Sequence, residues 1–210
     1  MARDLVSQYN ERAEVLARAS QYLESEVREA LKVIRHVDRV YFRRKETKSF
    51  VDKATDPASD PPYTEPLIEI EDQIAGRVIV LFLQDIPEVV TGLSTVFNRI
   101  EHKKRRPVRD AEFGYQSEHL ICIIPPQAKP DDWDRFDNMP NTFELQIRTI
   151  FMHAYAEPEH DLDYKGSLEL PADIRRELAW VAASAWGADR ALQRVYDWYR
   201  REVSKKSDPN

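Results

Sequence analysis

The amino-acid sequence predicts an α+β domain with α/β-like alternation, a mixed β-sheet flanked by helices. Three observations carry this. Apolar residues recur in steps of three and four through residues 5–37, the period of a helix. Residues 78–83, VIVLFL, form an unbroken apolar run of strand length, as expected of a strand covered on both faces. Residues 142–149 alternate: Phe143, Leu145 and Ile147 face one way, and Glu144, Gln146 and Arg148 the other. The period then turns helical.

Composition sets the outer bounds. A chain of 210 residues suits one domain with a helical extension and can bury a sizeable core. A net charge of −6 and a pI near 5.5 exclude a generally basic nucleic-acid binder but allow a local basic patch. The single Cys122 sits in the apolar run 120–124, so it reads as a buried strand residue, and no disulfide can form within one chain. The start, MARDLVSQYNERAEVL, is charged and amphipathic, unlike a signal peptide. No apolar run approaches the length of a membrane span. A cytoplasmic protein with no membrane partner is expected.

In chain order, the stripe over 5–37 predicts one helix packed across the domain. A coiled-coil seam is the alternative, weakened by Ser20 and several alanines. Val40, Tyr41 and Phe42 form a short strand running into RRKETKSFVDKA. Arg43 and Lys45 share a side of that strand, and Ser49 and Lys53 stand one helical turn apart. Three cations and a hydroxyl at a strand-to-helix junction suit a polyphosphate. Solvated surface is the plain alternative. Residues 55–66 read as a Pro- and Asp-rich loop.

Asp72 and Arg77 are expected at the entrance of the apolar strand, where a carboxylate suits Mg²⁺, an ion that takes one or two carboxylates plus substrate phosphates. Asp85-Ile86-Pro87 opens a helix running to Ile100. The basic run 102–106 is either solvated charge or a docking site for a phosphate-rich partner. Gly114-Tyr115 is a turn that presents an aromatic face to a base, with Ser117 and His119 following before the strand 120–124. Residues 125–141 are a polar Pro-rich loop.

After the helix 150–165, Pro171 opens a helix that Gly187-Ala188-Asp189 breaks, and a last helix carries Leu192, Val195, Tyr196 and Tyr199. The tryptophans read as packing. The expected order is helix, strand, helix, strand, helix, strand, strand, helix, helix, helix, with a disordered tail over 205–210.

The wording at four places resembles the RelA/SpoT-type nucleotide pyrophosphokinases, the alarmone synthetases. These are Arg43-x-Lys45-x-x-x-Ser49-x-x-x-Lys53, Asp72 five residues before Arg77, Gly114-Tyr115-x-Ser117-x-His119, and ELQIRT followed by AEPEH and YK over 144–165. The resemblance covers about residues 40–165. It implies a nucleotidyltransferase-like synthetase core over 39–166, between an N-terminal helix over 1–38 and C-terminal helices over 167–204.

It also implies an ATP-dependent pyrophosphokinase that moves the β,γ-pyrophosphate to the 3′-hydroxyl of GDP or GTP, making (p)ppGpp-type alarmones. By that resemblance Arg43 and Arg77 sandwich adenine, and Lys45, Ser49 and Lys53 contact the ATP phosphates. Asp72 and Glu144 hold Mg²⁺, with Glu144 also a candidate base. Tyr115 holds the acceptor base, with Ser117, His119 and Gln146 beside it. Apart from the resemblance, Lys104 and Arg105 of the basic run are candidate acceptor contacts, above all for a larger, phosphate-rich acceptor.

The acceptor loop departs from the family: Ala111 stands where relatives have lysine, and Phe113 where they have asparagine. Two alternatives therefore stay open. One is a toxin-like synthetase that pyrophosphorylates the 3′ end of tRNA or an adenosine nucleotide. The other is a non-catalytic nucleotide-binding module, against which the retained carboxylates and donor cations argue. A protein antitoxin and a homo-oligomer are left open as partners.

Overall fold

Two helices open the chain, α1 (Ala2–Glu11) and α2 (Ala13–Leu31). The structure is a computed structural model. It describes residues 2–57, 59, 61–106, 112–114, 116–164 and 170–207, with the backbone alone at 2, 3, 160, 161, 163, 164 and 207. The stripe of α2 is core: Val15, Leu16, Ala19, Ser20, Leu23, Val27 and Leu31 are buried on one face. The Ser20 hydroxyl donates to the Ala17 carbonyl at 2.7 Å, so its burial leaves no orphan.

The single helix expected over 5–37 is broken at Arg12, and it stops early. Arg12 is buried and donates to the Asn138 carbonyl at 3.3 Å. After Leu31 the chain turns through His36, whose φ is 67°, and Val37 starts a strand. Residues of helical period at a chain reversal read as helix until the turn geometry is known.

Strand β1 (Val37–Arg44) leads into α3 (Thr47–Ala54). Tyr9 of α1 clamps this junction. Its ring stacks on Phe50 at 4.0 Å, and its hydroxyl donates to the Lys45 carbonyl at 2.8 Å. Then follow α4 (Pro66–Glu69), a 3₁₀ turn (Glu71–Gln73) and β2 (Ile74–Val80). Buried Gln73 braces the turn, donating to the carbonyls of Leu67 and Ile70 at 2.8 and 3.1 Å. Its own carbonyl accepts from the Lys45 amide at 2.8 Å. Strand β2 is earlier than its apolar run suggests, so Arg77 lies inside the strand and not at its entrance.

Helix α5 (Asp85–Ser94) is shorter than expected. Phe97 is buried beyond its end, while Val96 and Ile100 are exposed. The sheet is completed by β3 (Arg99–Arg105), β4 (Ser117–Ile123) and β5 (Thr142–Thr149), in the order β1-β2-β5-β4-β3. Strands β2 and β5 run parallel and the other pairs antiparallel, so the sheet is mixed. Strand β3 was not expected. Its sequence, RIEHKKR, has no apolar face because it is an edge strand, where charge discourages pairing with other chains. Cys122 is buried, and burial pushes its thiol up to about 12.

Helix α6 (Ile150–Tyr164) is followed by α7 (Ala172–Ser207), one helix of 36 residues. Gly187 does not break it: a glycine costs a helix only about 1 kcal/mol relative to alanine. The helix also takes in residues 205–207 of the expected tail, while 208–210 lie outside the described residues. Of the tryptophans, Trp133 is buried, but Trp180, Trp186 and Trp198 are exposed on α7. Helix α7 is held against the domain at several points: Tyr196 stacks on Phe82, just past β2, at 4.2 Å, Gln193 exchanges hydrogen bonds with Gln84, and the Thr149 hydroxyl at the end of β5 donates to buried Asp189 at 2.7 Å.

Burial raises the Asp189 carboxyl to about 6, against a smaller lowering by the Thr149 hydrogen bond. A folded pKa above the unfolded value means stability present below about pH 3.9 and lost as pH rises through about 6. The loss is expected to approach about 3 kcal/mol at most. Thermal unfolding of wild type and Asp189→Asn between pH 4 and 8 checks it: only the wild type should lose this component, and parallel curves would contradict it.

Candidate active site

The register brings five polar or charged side chains into one line across all five strands. Tyr41 of β1 lies opposite Arg77 of β2, Arg77 opposite Gln146 of β5, Gln146 opposite His119 of β4, and His119 opposite Lys103 of β3. Because strands alternate, Glu144 and Arg148 share that face with Gln146. So do Arg43 and Ala75, which pair with each other beside Glu144. The other face carries Phe143, Leu145 and Ile147 into the core. Above the polar face lies a cavity of about 660 Å³, walled on its far side by Ala156, Glu159 and Leu162 of α6 and by Leu170 and Leu178. That volume suits a small ligand.

One end of the cavity is built on Asp72. Its two carboxylate oxygens are taken by two ammonium groups, Lys45 at 2.6 Å and Lys53 at 3.0 Å. Burial opposes the carboxylate charge, but the two lysines outweigh it and hold the Asp72 carboxyl below the usual range. Lys53 shifts the opposite way, up, because Asp72 outweighs its own desolvation. The cluster is partly neutralised: two cations share one anion and keep a net positive charge. The Gln73–Lys45 backbone hydrogen bond holds these two segments together.

The centre is Glu144. His119 Nδ1–H donates to one oxygen at 2.6 Å, and the Gln146 amide donates to the other at 2.9 Å. Burial raises this carboxyl and nearby Asp72 adds to that, but His119 and Gln146 prevail and keep it below the usual range. The Gln146 carbonyl in turn accepts from Arg148 at 2.6 Å and from Arg77 at 3.3 Å. Gln146 is thereby oriented, amide toward the carboxylate and carbonyl toward the guanidiniums.

At the other end Arg77 also donates to the Tyr41 hydroxyl at 2.8 Å and to Glu157. Glu157 accepts from Arg148 as well, at 3.3 Å. Tyr41 and Glu157 were not singled out in the sequence. Tyr41 was legible in principle, two residues from Arg43 on one strand face. Glu157 carries no signal beyond lying inside AEPEH.

Of the residues expected at the site, Arg43, Lys45, Asp72, Arg77, His119, Glu144 and Gln146 line the one cavity. Lys53 joins through Asp72. Ser49 is half-buried on α3, one turn before Lys53. Ser117 is buried at the start of β4. Arg105 lies opposite Ser117 on the site face, but Lys104 pairs with Glu118 and points to the other face, so the two part company. Tyr115 and Ala111 lie outside the described residues.

Among the described residues no group of three or more His, Cys, Asp or Glu side chains could hold a metal alone. Asp72 and Glu144 offer two carboxylates at one cavity. This set fits Mg²⁺, which would draw its remaining oxygens from substrate phosphates and water.

Residues 42–169 match the family described as the region found in RelA / SpoT proteins. The chain is 31% identical over 142 residues to GTP pyrophosphokinase YjbM of Bacillus subtilis (strain 168), covering 62% of this chain and 61% of that protein. It is 29% identical over 157 residues to GTP pyrophosphokinase YwaC of the same organism, covering 71% and 69%. A GTP pyrophosphokinase family protein from Streptococcus pneumoniae shares the fold with a TM-score of 0.74 at 24% identity, over 96% of this chain and 98% of that one. So does small alarmone synthetase 1 from Bacillus subtilis bound to AMPCPP, with a TM-score of 0.66 at 20% identity, over 95% and 99%.

The hydrogen bond from His119 is what lowers the Glu144 carboxyl most. Replacing His119 by alanine is expected to move the Glu144 carboxyl upward. A ¹³C NMR titration of the glutamate carboxylates reads this directly, and an unchanged Glu144 curve would contradict it.

Proposed function

Since the chain belongs to the RelA/SpoT family by its match over residues 42–169, we propose that it is a pyrophosphokinase that transfers the β,γ-pyrophosphate of ATP to the 3′-hydroxyl of GDP or GTP. The observation that carries this reading is the pairing of two ionised carboxylates at one cavity. Asp72 is held by two lysines, and Glu144 is oriented by His119 and Gln146. The named relatives are GTP pyrophosphokinases, which supports guanosine nucleotides as acceptors.

The residues divide the work. Lys45 and Lys53 sit where phosphates would arrive, and an incoming triphosphate gives their ammoniums a new anionic partner. Ser49, one turn before Lys53, adds a hydroxyl, and Arg43 contributes charge and a planar face. Asp72, released by its lysines, would hold Mg²⁺ together with Glu144. When bound, Mg²⁺ neutralises phosphate charge and fixes the reacting phosphate in place.

The acceptor 3′-oxygen attacks the β-phosphorus, the bond to the α-phosphate oxygen breaks, and AMP leaves. Glu144 accepts the hydroxyl proton. A carboxyl held below its usual range is a weak base, but in a loose transition state the proton departs late, so a positioned, ionised acceptor suffices. Gln146 keeps the base oriented. Residues of α6 and α7 cover part of the polar face and would limit the access of water that competes with transfer.

The tRNA reading keeps one observation in its favour, the basic edge strand β3. Three cations on and just past it already have counter-ions: Lys103 pairs with Glu101 at 2.6 Å, and Lys104 and Arg106 approach Glu118 at 3.7 and 3.9 Å. Phe113, which replaces the family asparagine, packs edge-on against Trp186 at 5.6 Å, so a packing role accompanies its departure from the family pattern. We therefore favour a small guanosine acceptor.

Incubation with β-³²P-ATP and separate GDP, GTP, AMP, ADP and tRNA pools tests the proposal. Label is expected in GDP or GTP, with Glu144→Gln lowering kcat by about 10²–10⁴-fold while KM for ATP changes little. Label in tRNA alone, lost in a Lys103/Lys104/Arg105/Arg106 alanine variant, would establish the alternative. Full activity in Glu144→Gln would remove the assigned base.

A further inference from the structure

Helix α7 runs for 36 residues but packs mainly by its middle. There Ala182 and Asp189 are buried, and Gln193 and Tyr196 are half-buried. Its ends lack such cover. Residues 172–177 are all exposed, and from Asp197 to Lys206 all but Glu202 are exposed. Helical turns standing alone in water are marginal, because most helical stability in proteins comes from packing an apolar face.

The face turned away from the domain is apolar. Val181, Ser184, Ala188, Ala191, Val195 and Trp198 follow in alternating steps of three and four, the spacing of a coiled-coil seam. At about 100° per residue, this stripe lies on the opposite side of the helix from Ala182, Asp189 and Gln193. Val195 is 61% exposed and Trp198 58%, and Trp180 flanks the stripe at 70%. An apolar face left to water on this scale marks an interaction surface.

We propose that this face binds the same face of a second copy of the chain, with the two α7 helices antiparallel. The pairing is independent of the reaction assigned to the cavity.

Charge selects both the partner and its direction. On the side of the stripe, the exposed start of α7 carries Asp173 and Glu177, and the exposed end carries Lys205 and Lys206. Antiparallel pairing sets the acids of one copy against the lysines of the other at both ends. Parallel pairing would set acid on acid and lysine on lysine. Lys205 also pairs with Glu202 at 2.8 Å, which offsets the acid nearest that end.

Side-chain size agrees. With Ala188 of one copy opposite Ala191 of the other, Ser184 falls opposite Val195, and Val181 opposite Trp198. Small residues meet at the centre and let the helices approach, and towards the ends each larger residue meets a smaller one. A parallel pair would put Trp198 against Trp198 and Ser184 against Ser184. The contact uses one patch twice, so it closes as a dimer. It also bears on the cavity. Leu178, which lines it, lies near the poorly packed start of α7, and the last turns of the second copy would brace that stretch.

Sedimentation at micromolar concentration tests the pairing. Wild type is expected above the mass of one chain, 24.6 kDa, and Val195→Glu/Trp198→Glu at that mass. The variant's pairing should weaken by at least about thirtyfold, as for loss of a buried hot-spot side chain. Both positions are exposed in the single chain, so its far-UV circular dichroism should match wild type. Asp173→Lys/Glu177→Lys should weaken pairing by about tenfold. Adding Lys205→Glu/Lys206→Glu should restore it, which only the antiparallel arrangement allows. A wild type that stays a single chain at about 100 µM, an assembly that survives Val195→Glu/Trp198→Glu, or a charge reversal that is not restored would overturn the proposal. So would a single chain that binds single-stranded RNA through the same residues, since the face would then serve nucleic acid.

Discussion

The period of two along β5 is the constraint on which the rest depends. Phe143, Leu145 and Ile147 are fully buried, and they can be buried only if Glu144, Gln146 and Arg148 face the opposite way. A slip of one residue would put a carboxylate and a guanidinium into the core, at several kcal/mol per unpaired charge. The cost of that error fixes the register, and the register fixes the site. Strand β5 is central, so its polar face is flanked by β2 on one side and β4 on the other, and each neighbour contributes one side chain opposite Gln146. The line from Tyr41 to Lys103 is a consequence of core packing on the far face.

Charge balance is the second constraint. Burying Asp72, Glu144, Arg77 and Arg148 around one cavity would be prohibitive if any stood alone. Each has a partner within hydrogen-bond reach, and the partners form a chain from His119 through Glu144 and Gln146 to Arg148, Arg77 and Glu157. Such a chain is rigid where every donor is matched. It is exchangeable where an incoming anion or cation can replace a partner, as at Asp72. In this account binding swaps counter-ions, so no carboxylate or ammonium is left bare in either state.

The sequence made much of this legible because strand alternation and motif spacing survive folding. Arg43, Lys45, Asp72, Glu144 and Gln146 lie on or beside strands whose alternation marked a polar face, and the resemblance to the RelA/SpoT synthetases supplied the roles expected of them. The failures have physical causes. Strand β3 escaped notice because an edge strand needs no apolar face, so RIEHKKR looked like surface. The break expected at Gly187 did not occur, because neighbouring residues in α7 supply enough helical and tertiary stabilisation to absorb one glycine. Arg77 was placed at a strand mouth because the apolar run that marks β2 begins after the strand does. Glu157 was invisible because its two arginine partners lie 80 and 9 residues away in sequence.

The central claim is that Asp72 and its two lysines part when the donor arrives, with Glu144 held in place throughout. A crystal structure with Mg²⁺ and a non-hydrolysable ATP analogue tests it most directly. The account predicts the Lys45 and Lys53 ammoniums on phosphate oxygens, Asp72 on the metal, and His119 still within hydrogen-bond distance of Glu144. Lysines still bound to Asp72 with the analogue seated elsewhere would contradict it.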